Sequence, residues 1–360
     1  MGIPFTFKGI VNILFFFTIT VPISLTAQYT DVINSNRPGL SVSAYAVGKN
    51  VVQAELGLFY EQRDHSILNT QSDQWGTDIS LRYGLFFESL ELNYEGTFQD
   101  QDVLFENFDT KAKRRDFSRN RLGLKFLVYD PFKNPERNKP NLYSWRANHK
   151  FQLKNLLPAI SIYGGANFVL GDNPYYPGEA TVSPRVMIAT QSRLTPRFVL
   201  ITNLGYDRIG TDFPEFSYLI SLSHAFRNPK WSFFLEHQGI ESDRYTDFLL
   251  RSGIAHLLKE DLQVDMNLGV NFKNTPSRVF LSIGGSYRFD FHKDTLVPIE
   301  DQNADENGGA IRKNTMKKQK KKRKNGSGAE DIDLGPSKKQ LRKLKKAKKK
   351  QKKDKDEIEF

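Results

Sequence analysis

Between Val51 and Phe291 apolar and polar residues trade places one by one, in pieces of about ten to thirteen residues separated by turn signals. One piece, LQVDMNLGVNF, sets Leu262, Val264, Met266, Leu268, Val270 and Phe272 against Gln263, Asp265, Asn267, Gly269 and Asn271. A period of two puts alternate side chains on opposite faces of a strand, so each piece has an apolar face and a polar one. Two all-β architectures satisfy that pattern. A soluble sandwich buries the apolar face and wets the polar one, whereas a membrane barrel turns the apolar face to lipid and closes the polar one around a lumen.

Twelve such pieces are expected, near 51–62, 74–86, 88–100, 118–129, 158–170, 183–194, 197–208, 216–227, 230–241, 246–257, 262–273 and 277–291. Their connections favour the barrel, in which long outer loops alternate with short turns on the periplasmic side. The odd-to-even connections include RDHSILNTQSDQ, QDVLFENFDTKAKRRDF, GDNPYYPGEATV and GTDFPEF, while the even-to-odd ones are FES, TP, NPK and KED. One connection departs: Pro131 to Leu157 is long and falls on the short side, so a partly helical periplasmic excursion is expected there.

The two ends point the same way. Lys8, an apolar run from Gly9 to Leu25 and a small-residue site after Ala27 read as a secretory signal over 1–27. A lead-in follows over 28–50, then the barrel over 51–291. The formal charge of +11 resides in the last stretch: from His292 on there are 22 Lys and Arg against 12 Asp and Glu, which leaves the remainder with a surplus of one. A basic, low-complexity tail with few large apolar residues is expected to be disordered on its own, in the periplasm. Ser337 and Gln340 make a capping box, and Leu341, Leu344 and Ala347 an apolar stripe, so a helix is expected only where an anionic surface neutralises the lysines. Peptidoglycan carboxylates, lipid phosphates or an acidic protein are the candidate partners; nucleic acid is not expected at that location.

The polar strand faces carry the candidate lumen lining: Glu55, Arg82, Glu91, Glu95, Arg121, Lys125, Arg185, Glu236, Arg251, Asp265 and Arg288. Either these charges line a path for solutes or they satisfy one another and plug a narrow barrel, since an unpaired charge in a low dielectric is costly. Aromatics on the apolar parity near strand ends, among them Tyr60, Trp75, Phe98, Tyr206, Tyr218, Phe226 and Trp231, fit interfacial girdles. GGSYRFDF, with Gly284 and then Tyr287, Phe289 and Phe291 on alternate positions, resembles the terminal-strand signal by which outer-membrane barrels are handed to their assembly machinery. In the lead-in, Pro38 cannot continue a ladder. The segment is therefore expected to fold across the periplasmic mouth, with Arg37 reaching Glu55 or Glu236.

Chemistry is not indicated. The histidines show no metal-ligand spacing. A lipase-like pair at His237 would need a serine within reach, and Ser242 lies past the strand end on the other parity. Without cysteine there is neither a disulfide framework nor a thiolate metal site. No cofactor is expected.

NSNRPGLSVSAYAVGKNVVQAELGLFYE, RLGLKFLVYD, the stretch from Phe233 to Phe272 and IGGSYRF together resemble an outer-membrane family labelled for the meta-pathway of phenol degradation and often called simply transporters. The resemblance spans roughly Gln28 to Phe291 and implies a barrel of twelve or so strands in a Gram-negative outer membrane. It matches Arg37 and Pro38 to the family's lead-in motif, Gln53, Glu55 and Gly57 to a Gln-x-Glu-x-Gly strand, and Gln263 and Asp265 to a Gln-x-Asp strand. Asn36 stands where the family tends to have Asp, and His237 and His256 where it tends to have Tyr. The expected protein is thus an antiparallel transmembrane β-barrel that passes small molecules passively, with outer-membrane lipid and the assembly machinery as partners. A structural or adhesive barrel and a secreted soluble binding protein are the alternatives.

Overall fold

The computed structural model describes residues 32–134, 137–169 and 173–292, so the stretch expected to be a secretory signal and the basic tail lie outside the described residues. The alternating pieces form twelve strands: β1 (Val51–His65), β2 (Thr70–Gly84), β3 (Leu90–Phe105), β4 (Thr110–Tyr129), β5 (Ala159–Phe168), β6 (Val182–Arg193), β7 (Phe198–Asp207), β8 (Glu215–Ala225), β9 (Trp231–Ser242), β10 (Thr246–Lys259), β11 (Leu262–Asn271) and β12 (Ser277–Asp290). Each pairs antiparallel with its sequence neighbours, and β1 pairs with β12 from Val51 opposite Asp290 to Asp64 opposite Ser277, which closes the barrel. Closure gives every strand a partner on both sides, although β4 meets β5 only from Arg121 to Tyr129.

The wall answers which face is wet. Leu56, Leu58, Trp75, Leu81, Leu268 and Ile283 stand exposed on the outside, while Gln53, Glu55, Arg82, Glu91, Lys125 and Glu236 are buried inside. A belt of aliphatic side chains running around the whole circumference far exceeds the apolar patches that soluble monomers tolerate, and it is the polarity of a wall facing lipid. Aromatics gather near the strand ends on that outer face: Tyr60 packs on Trp75 with centroids 4.7 Å apart, and Tyr287 on Phe289 at 4.6 Å.

The first four strands outrun expectation. The stretches read as outer loops, RDHSILNTQSDQ and QDVLFENFDTKAKRRDF, are mostly paired strand; the turns shrink to residues 66–69 and to a single 3₁₀ turn at Glu106–Phe108 with Asp109 at positive φ. The long connection after β4 holds a 3₁₀ turn (Pro131–Lys133), a short helix α1 (Trp145–His149) and a second 3₁₀ turn (Leu153–Leu156). Ser144 starts α1 because its Oγ accepts from the Ala147 N–H at 3.2 Å.

The lead-in does not lie across the mouth as expected. From Val32 to Asn50 it enters the barrel at the end where β1 begins, the lead-in mouth, and burial of Ser41, Val42, Ser43, Ala44 and Val47 places it in the lumen. Its tip carries a cis Arg37–Pro38 bond. The chain leaves by the same mouth, where the Phe291 N–H donates to the Asn50 carbonyl at 3.2 Å.

Candidate functional site

An irregular segment inside a barrel has backbone groups that neither water nor a ladder satisfies, so inward side chains must do it. Nine strands contribute. Glu55 accepts from the Asn36 N–H at 3.1 Å, Glu236 from both Leu40 and Ser41 at 3.1 Å, and Glu91 from Val47 at 2.8 Å. Asn203 takes Val42 from both sides, accepting its N–H at 2.7 Å and donating to its carbonyl at 2.8 Å. Lys125 donates to the carbonyls of Ser43 and Tyr45 at 2.9 and 3.0 Å, and Arg82 to that of Asn34 at 2.7 Å. Gln191 on β6 accepts from the Ser43 hydroxyl, Asn267 on β11 donates to the Pro38 carbonyl, and Ser286 on β12 meets Ser35.

Arg37 pairs with neither Glu55 nor Glu236. Its guanidinium grips Asp265, with Nε 3.1 Å and Nη2 2.9 Å from the carboxylate, and Nη2 also donates to Ser282 at 3.1 Å. The two glutamates expected to receive it are already engaged with lead-in N–H groups, a use for carboxylates that strand parity does not reveal. Gly57 and Gly284, opposite each other on β1 and β12, make the room: a Cβ at either would collide with the Arg37 guanidinium.

The other candidate charges fall into separate groups. Arg82, Glu91, Lys125 and Glu55 form one cluster near the lead-in mouth, with Arg82 Nε 2.8 Å and Lys125 Nζ 3.2 Å from Glu91, and Arg82 Nη1 3.7 Å from Glu55. Glu95, Arg121 and Arg185 meet higher up around Asp207, which binds both arginines and Asn167. Arg251 sits 3.6 Å from Glu236 and donates to Gln238. Arg288 stands apart at the lead-in mouth, 3.2 Å from Asp261. Tyr287, Phe289 and Phe291 face outward, exposed. His237, also outward, lies between Tyr218 and Phe248. Among the described residues no group of three or more His, Asp or Glu is placed to hold a metal ion.

Several members escape a reading of charge alone. Asn203, Gln191 and Asn267 are neutral, although each lies on the inward parity. A further network of Glu61, Arg278, Asp247 and Tyr245 ties β1, β12 and β10 together near the far mouth.

Above the lead-in a cavity of about 780 Å³ runs toward the far mouth, bounded below by Arg37, Gly39, Leu40 and Val42. Its wall mixes ion-paired arginines with aromatic faces, for instance Phe280, stacked on Phe59 at 5.6 Å and covered by Arg251. Residues 173–181, between β5 and β6, fold over part of the opening. Tyr175 Oη reaches the carbonyls of Gln99 and Arg114 at 2.8 and 2.9 Å, Arg208 pairs with Glu179 at 2.8 Å, and Arg244 donates to Pro177 at 2.6 Å. Burial pushes the Tyr175 phenol up to about 12, so it remains a neutral donor at physiological pH.

A family model described as "Putative MetA-pathway of phenol degradation" matches residues 35–289. The chain belongs to this family. The three motifs that carry the family resemblance converge in space: Arg37 lies over Gly57 and grips Asp265, Gln263 donates to the Arg37 carbonyl at 3.0 Å, and Gln53 donates to Glu55. No curated protein matches the chain. Solved structures similar to it include an outer membrane channel from Pseudomonas putida F1, at 11% identity over 71% of this chain and all of that one, with a TM-score of 0.45. NanC porin is similar at 8% identity over 64% of this chain and 98% of that one, with a TM-score of 0.41. The CymD monoaromatic hydrocarbon channel shares 10% identity over 68% of this chain and 90% of that one, with a TM-score of 0.35.

Proposed function

We propose that this protein is an outer-membrane channel for small solutes, in which the cavity is the entry path and the lead-in the constriction. The observation that carries the reading is the cavity of about 780 Å³ open toward one mouth and lined by charged, polar and aromatic groups together, inside a wall whose outer face is apolar. In this reading the lead-in mouth, where both ends of the barrel chain lie, is periplasmic, and the far mouth, toward which the long β1–β2 and β3–β4 hairpins extend, faces outward. The wall charges are largely paired with one another, so the path presents hydrogen-bonding groups with little net field and discriminates weakly by charge.

Reconstitution in planar bilayers tests it. Small, reproducible conductance steps with a reversal potential near zero in a salt gradient are expected. Electrical silence at several voltages, from protein that shows heat-modifiable migration on a denaturing gel, overturns the channel reading in favour of a structural barrel. Migration unchanged by boiling overturns the membrane barrel itself.

A further inference from the structure

In the connection after β4, over residues 131–134 and 137–157, several polar side chains are spent on the segment's own backbone. Asn138 donates to the carbonyls of Pro131, Phe132 and Asn134 at 3.1, 2.9 and 2.8 Å. Arg137 and Lys154 each donate to the other's carbonyl, at 2.7 and 3.1 Å, and the Asn148 side chain brackets the Asn141 backbone, accepting its N–H at 2.7 Å and donating to its carbonyl at 2.9 Å. Ser192 on β6 donates to the Leu156 carbonyl at 2.9 Å, which fastens the returning limb to the barrel.

With the polar groups so used, the large apolar side chains are left outside. Tyr143 is 100% exposed, Leu142 87%, Leu153 81%, Trp145 74% and Phe151 52%. In water that arrangement forfeits the burial these side chains could contribute. The connection is joined at both ends to apolar exposed surface, departing from Val128 and Tyr129 and returning through Leu156 and Leu157. Its charge has one sign: residues 131–157 carry six Lys and Arg against the single acidic Glu136. Trp, Tyr, Phe and Leu interleaved with basic residues, beside a bilayer, is the composition of a segment that lies in the headgroup interface.

We propose that this connection is an interfacial foot, seated on the bilayer surface beside the lead-in mouth. Tyr143, Trp145, Phe151 and Leu153 enter the headgroup boundary, and Arg146 and Lys150 meet the phosphates of anionic phospholipid. The proposal rests on the membrane reading of the wall, and its test separates the two.

The chain has no cysteine, so single-cysteine variants of the full-length protein take one fluorescent label each. Tyr143→Cys and Leu153→Cys report the foot, Met266→Cys the wall, and Ile67→Cys the exposed turn at the far mouth. The proteins are placed in nanodiscs of phosphatidylethanolamine with about one quarter phosphatidylglycerol, which leaves both bilayer faces open to aqueous iodide. The foot labels should be quenched by iodide on the order of fivefold less than the Ile67→Cys label, and should be quenched by shallow spin-labelled lipid. Arg146→Glu with Lys150→Glu, or high salt, should return much of the iodide access. Foot labels as accessible as the reference, with the Met266→Cys label shielded, overturn the foot and leave the wall standing; an exposed Met266→Cys label overturns the membrane reading beneath it. Shielding that ignores charge reversal overturns the recognition of anionic lipid, and shielding present only in native envelopes overturns the lipid partner in favour of a protein.

Discussion

Arg37 reaches Asp265 through a bidentate contact, deep enough that both side chains are nearly inaccessible. Removing one partner strands the other charge in the lumen, which typically costs about 3–5 kcal/mol. Arg37→Ala should therefore lower the thermal unfolding transition markedly, followed by circular dichroism or by heat-modifiable migration. Adding Asp265→Asn to that variant should recover part of the loss, because a neutral amide is cheaper to leave in place. An unaltered transition in Arg37→Ala would show that the pair contributes no net stability. The partner itself was beyond reach of the sequence for a geometric reason. Parity tells which residues point inward, so Glu55, Glu236 and Asp265 were all available; which of them a guanidinium meets depends on stagger and on how far the lead-in penetrates, and neither leaves a mark on a period of two.

At the level of the element, strands were legible wherever one face is apolar. All twelve were expected, and from β5 on within a few residues of their place, because lipid on one side and lumen on the other force the alternation. Beyond the bilayer that contrast ends. Lys111, Lys113 and Arg115 on β4 lie across from Asp102, Asp100 and their neighbours on β3, with Lys113 3.1 Å from Asp100. Polar side chains on both faces look like loop, although the backbone continues its ladder. A membrane needs only about 9–11 residues of a tilted strand, so much of β4, at 20 residues, extends past it. The paired state makes a prediction. Lys111, Lys113, Arg114 and Arg115 lie in the ladder rather than in the turn, so trypsin should cut there only through local opening. Limited proteolysis of the folded protein, with fragments weighed by mass spectrometry, should leave this stretch intact long after an unstructured loop would be gone. Rapid cleavage between residues 111 and 115 would mean the hairpin is frayed.

For the whole molecule, the surrounding solvent is part of the fold. Ile283 lies near the middle of β12 on the outer face, between Leu58 and Met266 on the adjoining strands. Ile283→Arg should cost about 2–4 kcal/mol of folding stability in a bilayer if the site lies near the midplane, measured by reversible denaturant titration in lipid. A near-neutral effect would place the residue in water or at an interface. The lead-in also bridges the line where the wall shuts. Ser35 and Arg37 touch β12, Asn36 is held by β1, and Arg37 continues to β11, 228 residues away along the chain. These contacts cross the seam between the first and last strands, which makes the lead-in a latch over the line of closure. Losing Arg37 would leave the β1–β12 ladder intact and remove one hold across it, giving a barrel that still shuts but does not lock.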